Sequence, residues 1–172
     1  MFYRMVAVCM ALGLSQSALA LDENIYLHGT LVEEPCSLSM TSVRQTVKLG
    51  NVIKNTLYLH QRTHSYPFTL VLEECDISLG TIVEIGFNGV ADELQPDRLA
   101  VSGTAKGIAI GLETAEGKPL ILNKTIERYG LNDGRRVLAF AAYVSAPASV
   151  IENQGIVEGD FSASATFTLN YP

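Results

Sequence analysis

Apolar and polar residues alternate strictly along the last part of the chain. From Phe161 onward every odd-numbered residue is apolar, and every even-numbered residue through Asn170 is small and polar. Because successive side chains of a strand point to opposite faces, this alternation predicts a strand with one face in a core. No later segment follows it in this sequence, so we expect a strand from elsewhere on its free side. Its apolar face consists of Phe161, Ala163, Ala165, Phe167, Leu169 and Tyr171.

A second alternating segment, residues 25–31, lies near the start of the chain. Gly29 stands among its apolar positions, where a glycine costs stability unless another group approaches closely. Pro35 ends the alternation just before Cys36, so we expect the segment to form a detachable arm ahead of the domain. The apolar face of this arm consists of Ile25, Leu27, Gly29 and Leu31.

The middle of the chain predicts further strands. Residues 66–75 and 81–89 each have one apolar side. Residues 137–144 are apolar at nearly every position, which indicates a strand buried on both faces in the middle of a sheet. Turn residues separate the strands, and this pattern predicts an all-β sandwich. Shorter strands are predicted at residues 37–40, 46–52, 99–101 and 107–113.

Two histidines stand four residues apart in the polar segment of residues 54–65. On a helix, His60 and His64 would align as two metal ligands. Nothing in the segment starts or sustains a helix, and no third ligand is adjacent. We therefore expect a solvated loop and predict no metal site.

The first residues have the pattern of a secretory signal peptide. Arg4 precedes an apolar run of residues 6–14, and Ala18 and Ala20 supply the small-residue cleavage pattern. The apolar run is too short for a membrane-spanning helix, which needs about twenty residues. The expected organisation is a signal peptide at residues 1–20, an arm at 21–35 and a domain at 36–172.

Removal of the signal peptide leaves two cysteines, Cys36 and Cys75. In an exported chain, two cysteines suggest a single disulfide bond. Closing a loop of roughly forty residues would stabilise the fold by about 4 kcal/mol.

Charge and motifs narrow the function classes. The formal net charge is −6 and no basic stripe is present, so we do not expect a nucleic-acid partner. The sequence has no Gly-x-Ser-x-Gly elbow, no His-Glu-x-x-His motif and no glycine-rich dinucleotide loop. If the two cysteines pair, no thiol nucleophile remains. We therefore predict a protein that is not an enzyme and has no cofactor.

Four features of the chain resemble pilin subunits of the bacterial chaperone/usher pathway, of the type 1 and P-pilus kind. They are the arm with Gly29, the lead-in of residues 29–38 to the first cysteine, the strand of residues 68–75, and the chain end. Pilins have a glycine fourteenth from the C-terminus and a penultimate tyrosine, and Gly159 and Tyr171 hold those places here.

The resemblance implies an incomplete immunoglobulin-like sandwich that lacks its seventh strand. A groove would then lie beside the terminal strand, bordered by Gly159 and the odd-numbered face from Phe161 to Tyr171. A periplasmic chaperone would fill this groove first. At the outer-membrane usher, the arm of a neighbouring pilin would replace the chaperone, through the face of Ile25, Leu27, Gly29 and Leu31.

The implied function is that of a structural fimbrial subunit, exported through the periplasm to the cell surface and contributing to adhesion. The lead-in at residues 33–36 and the stretch at residues 102–108 are more similar to minor pilins, adaptors or terminators, than to a major rod subunit. Two other functions stay open. A self-contained carbohydrate-binding module would need exposed aromatic residues, and a secreted hydrolase would need a catalytic set.

Overall fold

The computed structural model describes residues 27–29, 31 and 33–172. The signal peptide expected at residues 1–20 and the arm residue Ile25 lie outside the described residues. The chain divides into two units, Met1–Val32 and Glu33–Pro172. In the first unit, the described arm residues Leu27 and Leu31 belong to no strand and are 88% and 100% exposed.

The second unit is built mainly from short antiparallel strands. In chain order they are β1 (Ser37–Leu38), β2 (Tyr66–Cys75), β3 (Ile82–Gly89), β4 (Leu99–Ala100), β5 (Ser102–Gly103), β6 (Ala109–Thr114), β7 (Pro119–Leu120), β8 (Ile126–Gly130), β9 (Gly134–Ser145), β10 (Phe161–Ser162) and β11 (Ala165–Asn170). The helices are short: α1 (Met40–Val43), α2 (Lys54–His60) and α3 (Ala148–Glu152). Within the described residues, no helix is long and apolar enough to cross a membrane.

The described strands form three sheets. The largest has the order β1-β2-β9-β6-β4, with β7 paired to β6. The second has the order β11-β3-β8, and β10 pairs with β5 in the third. All of these pairings are antiparallel.

The core lies between the two larger sheets, because buried side chains from both belong to one cluster. Phe140 of β9 is at its centre, 1% exposed. The ring centroid of Phe140 lies 5.1 Å from that of Phe87 on β3 and 5.7 Å from that of Phe68 on β2. This arrangement is a β-sandwich, as the alternating pattern predicts.

A disulfide bond joins Cys36 to Cys75 across 39 residues of sequence. Both cysteines are buried, and Cys75 is the last residue of β2. The predicted pairing is therefore confirmed. The bond fixes the start of the domain to the end of a strand that lies inside the largest sheet.

The strand predictions hold best where the apolar pattern is long. β2 has the predicted bounds, and β9 lies between β2 and β6 with every residue from Phe140 to Ser145 buried. The predicted burial on both faces is wrong for the start of the segment, because Val137 and Ala139 are exposed. The strand predicted at residues 37–40 is shorter, because β1 ends at Leu38 and α1 begins at Met40.

The solvated loop predicted for residues 54–65 is wrong in part, because α2 occupies its first half. Leu57 of α2 is 1% exposed and packs in a second core cluster with Val144 and Ile156. The helix ends at His60, and the next residue, Gln61, has a left-handed φ of 63°. Tertiary burial of one side chain supports a helix that local propensity alone does not.

The long strand predicted from Phe161 is divided in two. Phe161 pairs with Gly103 in one sheet, whereas Ala165 pairs with Gly89 in another. Residues 163 and 164 carry the chain between the sheets. A side chain on Gly103 would meet the Asp160 carbonyl oxygen at 2.2 Å, so a glycine is needed where the strands approach.

Candidate functional site

One edge of β11 has no strand beside it among the described residues. Along the other edge, β11 pairs with β3 from Ala165 opposite Gly89 to Asn170 opposite Glu84. β11 is the outermost strand of its sheet, so in the described part of the chain its other edge has no backbone ladder. Alternate N–H and C=O groups therefore face outward, which natural proteins normally cover.

A groove with a volume of about 820 Å³ runs beside this edge. One wall is formed by residues 159–167, which include β10 and the start of β11. We call residues 44–52 on the opposite side the far wall. Side chains of the core form the floor, so the interior of the sandwich is open along this line. The floor includes Phe68, Leu70, Phe87, Leu99, Ile110 and Leu112.

The predicted apolar face of the terminal strand points to the groove side of the core. Phe161, Ala163 and Phe167 line the groove, and all three are half-buried against the core. Ala165 also lines the groove and is exposed. None of these apolar side chains is fully buried, which is the state expected of a core face that lacks its cover.

The last two residues of the predicted face, Leu169 and Tyr171, are half-buried against the core beyond the groove lining. Burial raises the pKa of Tyr171 above its usual value, and the negative charge of Glu34 adds to this effect. The arm's connection to the domain therefore lies near the end of β11.

Gly159 lines the other end of the groove. Its φ of 159° is extended backbone, which any residue adopts. The close approach of another segment explains the glycine instead. A Cβ here would lie 2.2 Å from Oγ1 of Thr104 and 2.7 Å from the backbone nitrogen of Ala105.

The far wall has the alternation of a strand, but it has no ladder partner in the part of the chain that the structure describes. Val47 and Leu49 are half-buried while Thr46 and Lys48 are exposed, so the predicted alternation is present. The strand predicted at residues 46–52 is nevertheless wrong, because the segment belongs to no sheet of the described chain. A strand needs a neighbour for its hydrogen bonds, and the groove lies where that neighbour would be.

Side chains anchor the start of the far wall to β2. The Gln45 side-chain amide donates to the Thr69 carbonyl oxygen. The backbone N–H of Val71 donates to Oγ of Ser42 at 2.9 Å. The wall is therefore held by individual side-chain contacts at this end.

A polar cluster covers the outer side of the largest sheet. Nη1 and Nη2 of Arg62 donate to Oε2 and Oε1 of Glu113 at 3.0 and 2.9 Å. Cζ of Arg62 lies 3.6 Å from the ring centroid of Tyr143, a cation–π contact. Burial alone would raise the pKa of Glu113, but hydrogen bonds from Arg62 and Ser65 lower it overall. This ion pair ties the segment before β2 to β6.

His60 and His64 are both exposed. The His64 ring lies 4.3 Å from the ring of Tyr66. Within the described residues, no group of three His, Cys, Asp or Glu side chains could hold a metal ion.

Sequence reasoning predicted residues 46–52 as a strand but not as a wall of the groove. It also missed the Lys54–Glu158 ion pair, whose Nζ and Oε1 atoms are 3.0 Å apart. The alternation of residues 46–52 signalled the wall. No sequence pattern indicates that two charged residues about one hundred positions apart form an ion pair.

Comparison with known proteins places this geometry in a family. The family model described as "Fimbrial protein" matches residues 25–172. The chain is 33% identical over 170 residues to a fimbria A protein of Serratia marcescens, covering 97% of this chain and 96% of the relative. It is 35% identical over 173 residues to the major MR/P fimbria protein of Proteus mirabilis, covering 96% and 97% of the two chains.

A solved structure agrees with the sequence relatives. The P-pilus rod subunit PapA superposes with a TM-score of 0.69 at 29% identity, covering 81% of this chain and all of that one. The predicted incomplete immunoglobulin-like sandwich is thereby confirmed. The family consists of structural subunits, which also confirms that the chain is not an enzyme. A minor place in the fimbria stays a prediction. The chain belongs to the fimbrial protein family, the pilins of chaperone/usher pili.

Proposed function

We propose that this pilus subunit is assembled by donor-strand complementation, in which a strand of another chain completes its sandwich. The observation that carries the proposal is the free edge of β11 beside an open groove. An inserted strand would pair with β11 on one side and with the far wall on the other. Its alternate apolar side chains would cover Phe161, Ala163, Ala165 and Phe167.

The arm is the donor in this proposal, and residues 21–35 form it ahead of a pilin domain at residues 36–172. Leu27 and Leu31 are almost fully exposed, which is costly for two leucines unless another chain covers them. Together with Ile25 and Gly29 they would be inserted into the groove of a neighbouring subunit. A contact of this kind does not close on itself and produces a fibre.

A chaperone and an usher are the further partners that we propose. Residues 1–20 would direct export to the periplasm, where a chaperone strand would cover the open core and prevent aggregation. The outer-membrane usher would then exchange this strand for the arm of the next subunit. The assembled fimbria would stand on the cell surface and contribute to adhesion.

Removal of the arm separates the two roles of the subunit, which are to donate an arm and to accept one. A variant without residues 21–32 keeps the groove, so it should accept an arm while offering none. Added to the wild-type chain during assembly, it should occupy only the first position of a fibre, and an increasing share of it should give shorter fibres. Long fibres formed by this variant alone would contradict the proposal. The carbohydrate-binding alternative requires a complete fold, so it instead predicts a monomer that neither polymerises nor gains stability when the arm peptide is added.

A further inference from the structure

The Lys54–Glu158 ion pair lies at one end of the groove. Lys54 is the first residue of α2 and follows the far wall, which ends at Val52. Glu158 directly precedes Gly159, the first residue of the opposite wall. The 3.0 Å contact between Nζ of Lys54 and Oε1 of Glu158 therefore joins the two walls across the groove end. Both side chains are accessible, 37% and 76% exposed.

The arm leaves the domain at the opposite end. The backbone N–H of Asp76 donates to the Pro35 carbonyl oxygen at 2.8 Å, close to the Cys36–Cys75 disulfide. β11 finishes at this end too, since Asn170 pairs with Glu84 near the start of β3. The arm departs from one end of the sandwich, and Lys54 and Glu158 mark the other.

This separation sets the direction of an inserted arm. If copies repeat head-to-tail in a line, the next copy lies beyond the Lys54–Glu158 end of the groove. The part of its arm closest to its own domain must then lie at that end. The inserted arm therefore runs antiparallel to β11.

In the antiparallel register, the acidic residues at the end of the arm lie at the Lys54 end of the groove. Four apolar arm positions, residues 25, 27, 29 and 31, match four inward positions of the wall, residues 161, 163, 165 and 167. In the antiparallel arrangement, Leu31 lies level with Phe161. Two residues further, Glu33 lies level with Gly159, and Glu34 follows it. Two carboxylates thus arrive beside Lys54.

We propose, on the basis of the donor-strand function above, that Lys54 selects the arm by exchanging partners. In the empty groove, Lys54 pairs with Glu158 and bridges the walls. When the arm of a second copy enters, Lys54 releases Glu158 and pairs with Glu33 or Glu34. An exposed ion pair of this kind changes a rate or an affinity by about two- to five-fold and is sensitive to salt.

The exchange also bears on the place of the subunit in the fimbria. An arm whose apolar spacing and charge fit its own groove allows a copy to add to another copy. This fit favours a repeating subunit over the adaptor or terminator that the lead-in resembles.

The test uses a dye-labelled synthetic peptide of residues 21–35 and the chain refolded without residues 1–20. The peptide is in excess, so that it fills most grooves, and the association rate is followed as the labelled peptide that co-elutes with the chain in size-exclusion chromatography. Lys54→Glu should slow association by about two- to five-fold. Glu158→Gln should accelerate it, because Lys54 no longer has a competing partner. A peptide with Glu33→Lys and Glu34→Lys should bind Lys54→Glu faster than the unchanged peptide does.

Lys118→Glu is the matched control, since Lys118 forms a comparable ion pair with Glu127 away from the groove. It should leave the rate unchanged, and 1 M salt should reduce the effect of Lys54→Glu. Peptide insertion at equal rates in the wild type, Lys54→Glu and Glu158→Gln would overturn the exchange while leaving donor-strand complementation intact. Failure of the peptide to enter even the wild-type groove would overturn both.

Discussion

Truncation of Phe167 should weaken the binding of a donor strand by about as much as it destabilises the free subunit. Phe167 stands opposite Phe87 on β3, lines the groove and is half-buried. Complete removal of a buried phenylalanine side chain costs about 3 to 5 kcal/mol. Because the ring is half-buried in the free subunit, its truncation should lower the free energy of unfolding of the free subunit by roughly 2 kcal/mol. The donor strand covers the rest of the ring, so truncation should also lower the free energy of donor binding by about 2 kcal/mol.

A loss of about 2 kcal/mol of binding free energy corresponds to about thirty-fold weaker binding of the arm peptide to Phe167→Ala. Equilibrium fluorescence anisotropy with the labelled peptide measures this directly. The control is Thr168→Ala, one residue away, whose exposed side chain contacts Asn88 on the opposite face. It should change the affinity by less than about two-fold. Equal affinities for Phe167→Ala and the wild type would refute the assignment of this face to the groove.

Three further predictions concern the sandwich itself. Cys75→Ala removes the disulfide and should lower the free energy of unfolding by about 4 kcal/mol, measured by urea denaturation against the oxidised wild type. Gly111→Ala places a Cβ 2.2 Å from the Tyr143 ring and should cost about 2 kcal/mol, whereas Gly130→Ala, with open space around it, should be nearly neutral. Glu113→Gln should cost about 1.5 to 3 kcal/mol at pH 7. Because the folded-state pKa of Glu113 is lowered, this difference should be complete above the usual glutamate pKa and be lost as the pH falls from there through the lower folded-state pKa. A pH-independent difference would contradict the charged hydrogen bonds.

Long alternating or continuous apolar runs allowed the main strands to be predicted. β2 and β9 are examples, because their side chains are sorted by the two faces of a sheet that lies within the chain. α2 could not be predicted in this way. Its support comes mainly from Leu57, whose burial depends on Val144 and Ile156 far along the sequence.

The sequence predicted the wall of the groove that contains β11, but it did not predict the far wall. The apolar face at Phe161 and Phe167 follows directly from period-two alternation. Residues 46–52 show the same period, and a sequence pattern cannot reveal that the partner of such a segment is absent from the sheet. The Arg62–Glu113 pair depends on the register between separate strands, which local patterns do not encode.

Amide hydrogen exchange along β11 tests the central claim most directly. In the free subunit, the N–H groups of residues 165–170 that bond to β3 should be protected, while those that face the groove should exchange rapidly. Addition of the peptide of residues 21–35 should slow exchange at the groove-facing amides and in residues 46–52. Protection of every β11 amide before any peptide is added, or no change after saturation, would contradict an incomplete sandwich that a donor strand completes.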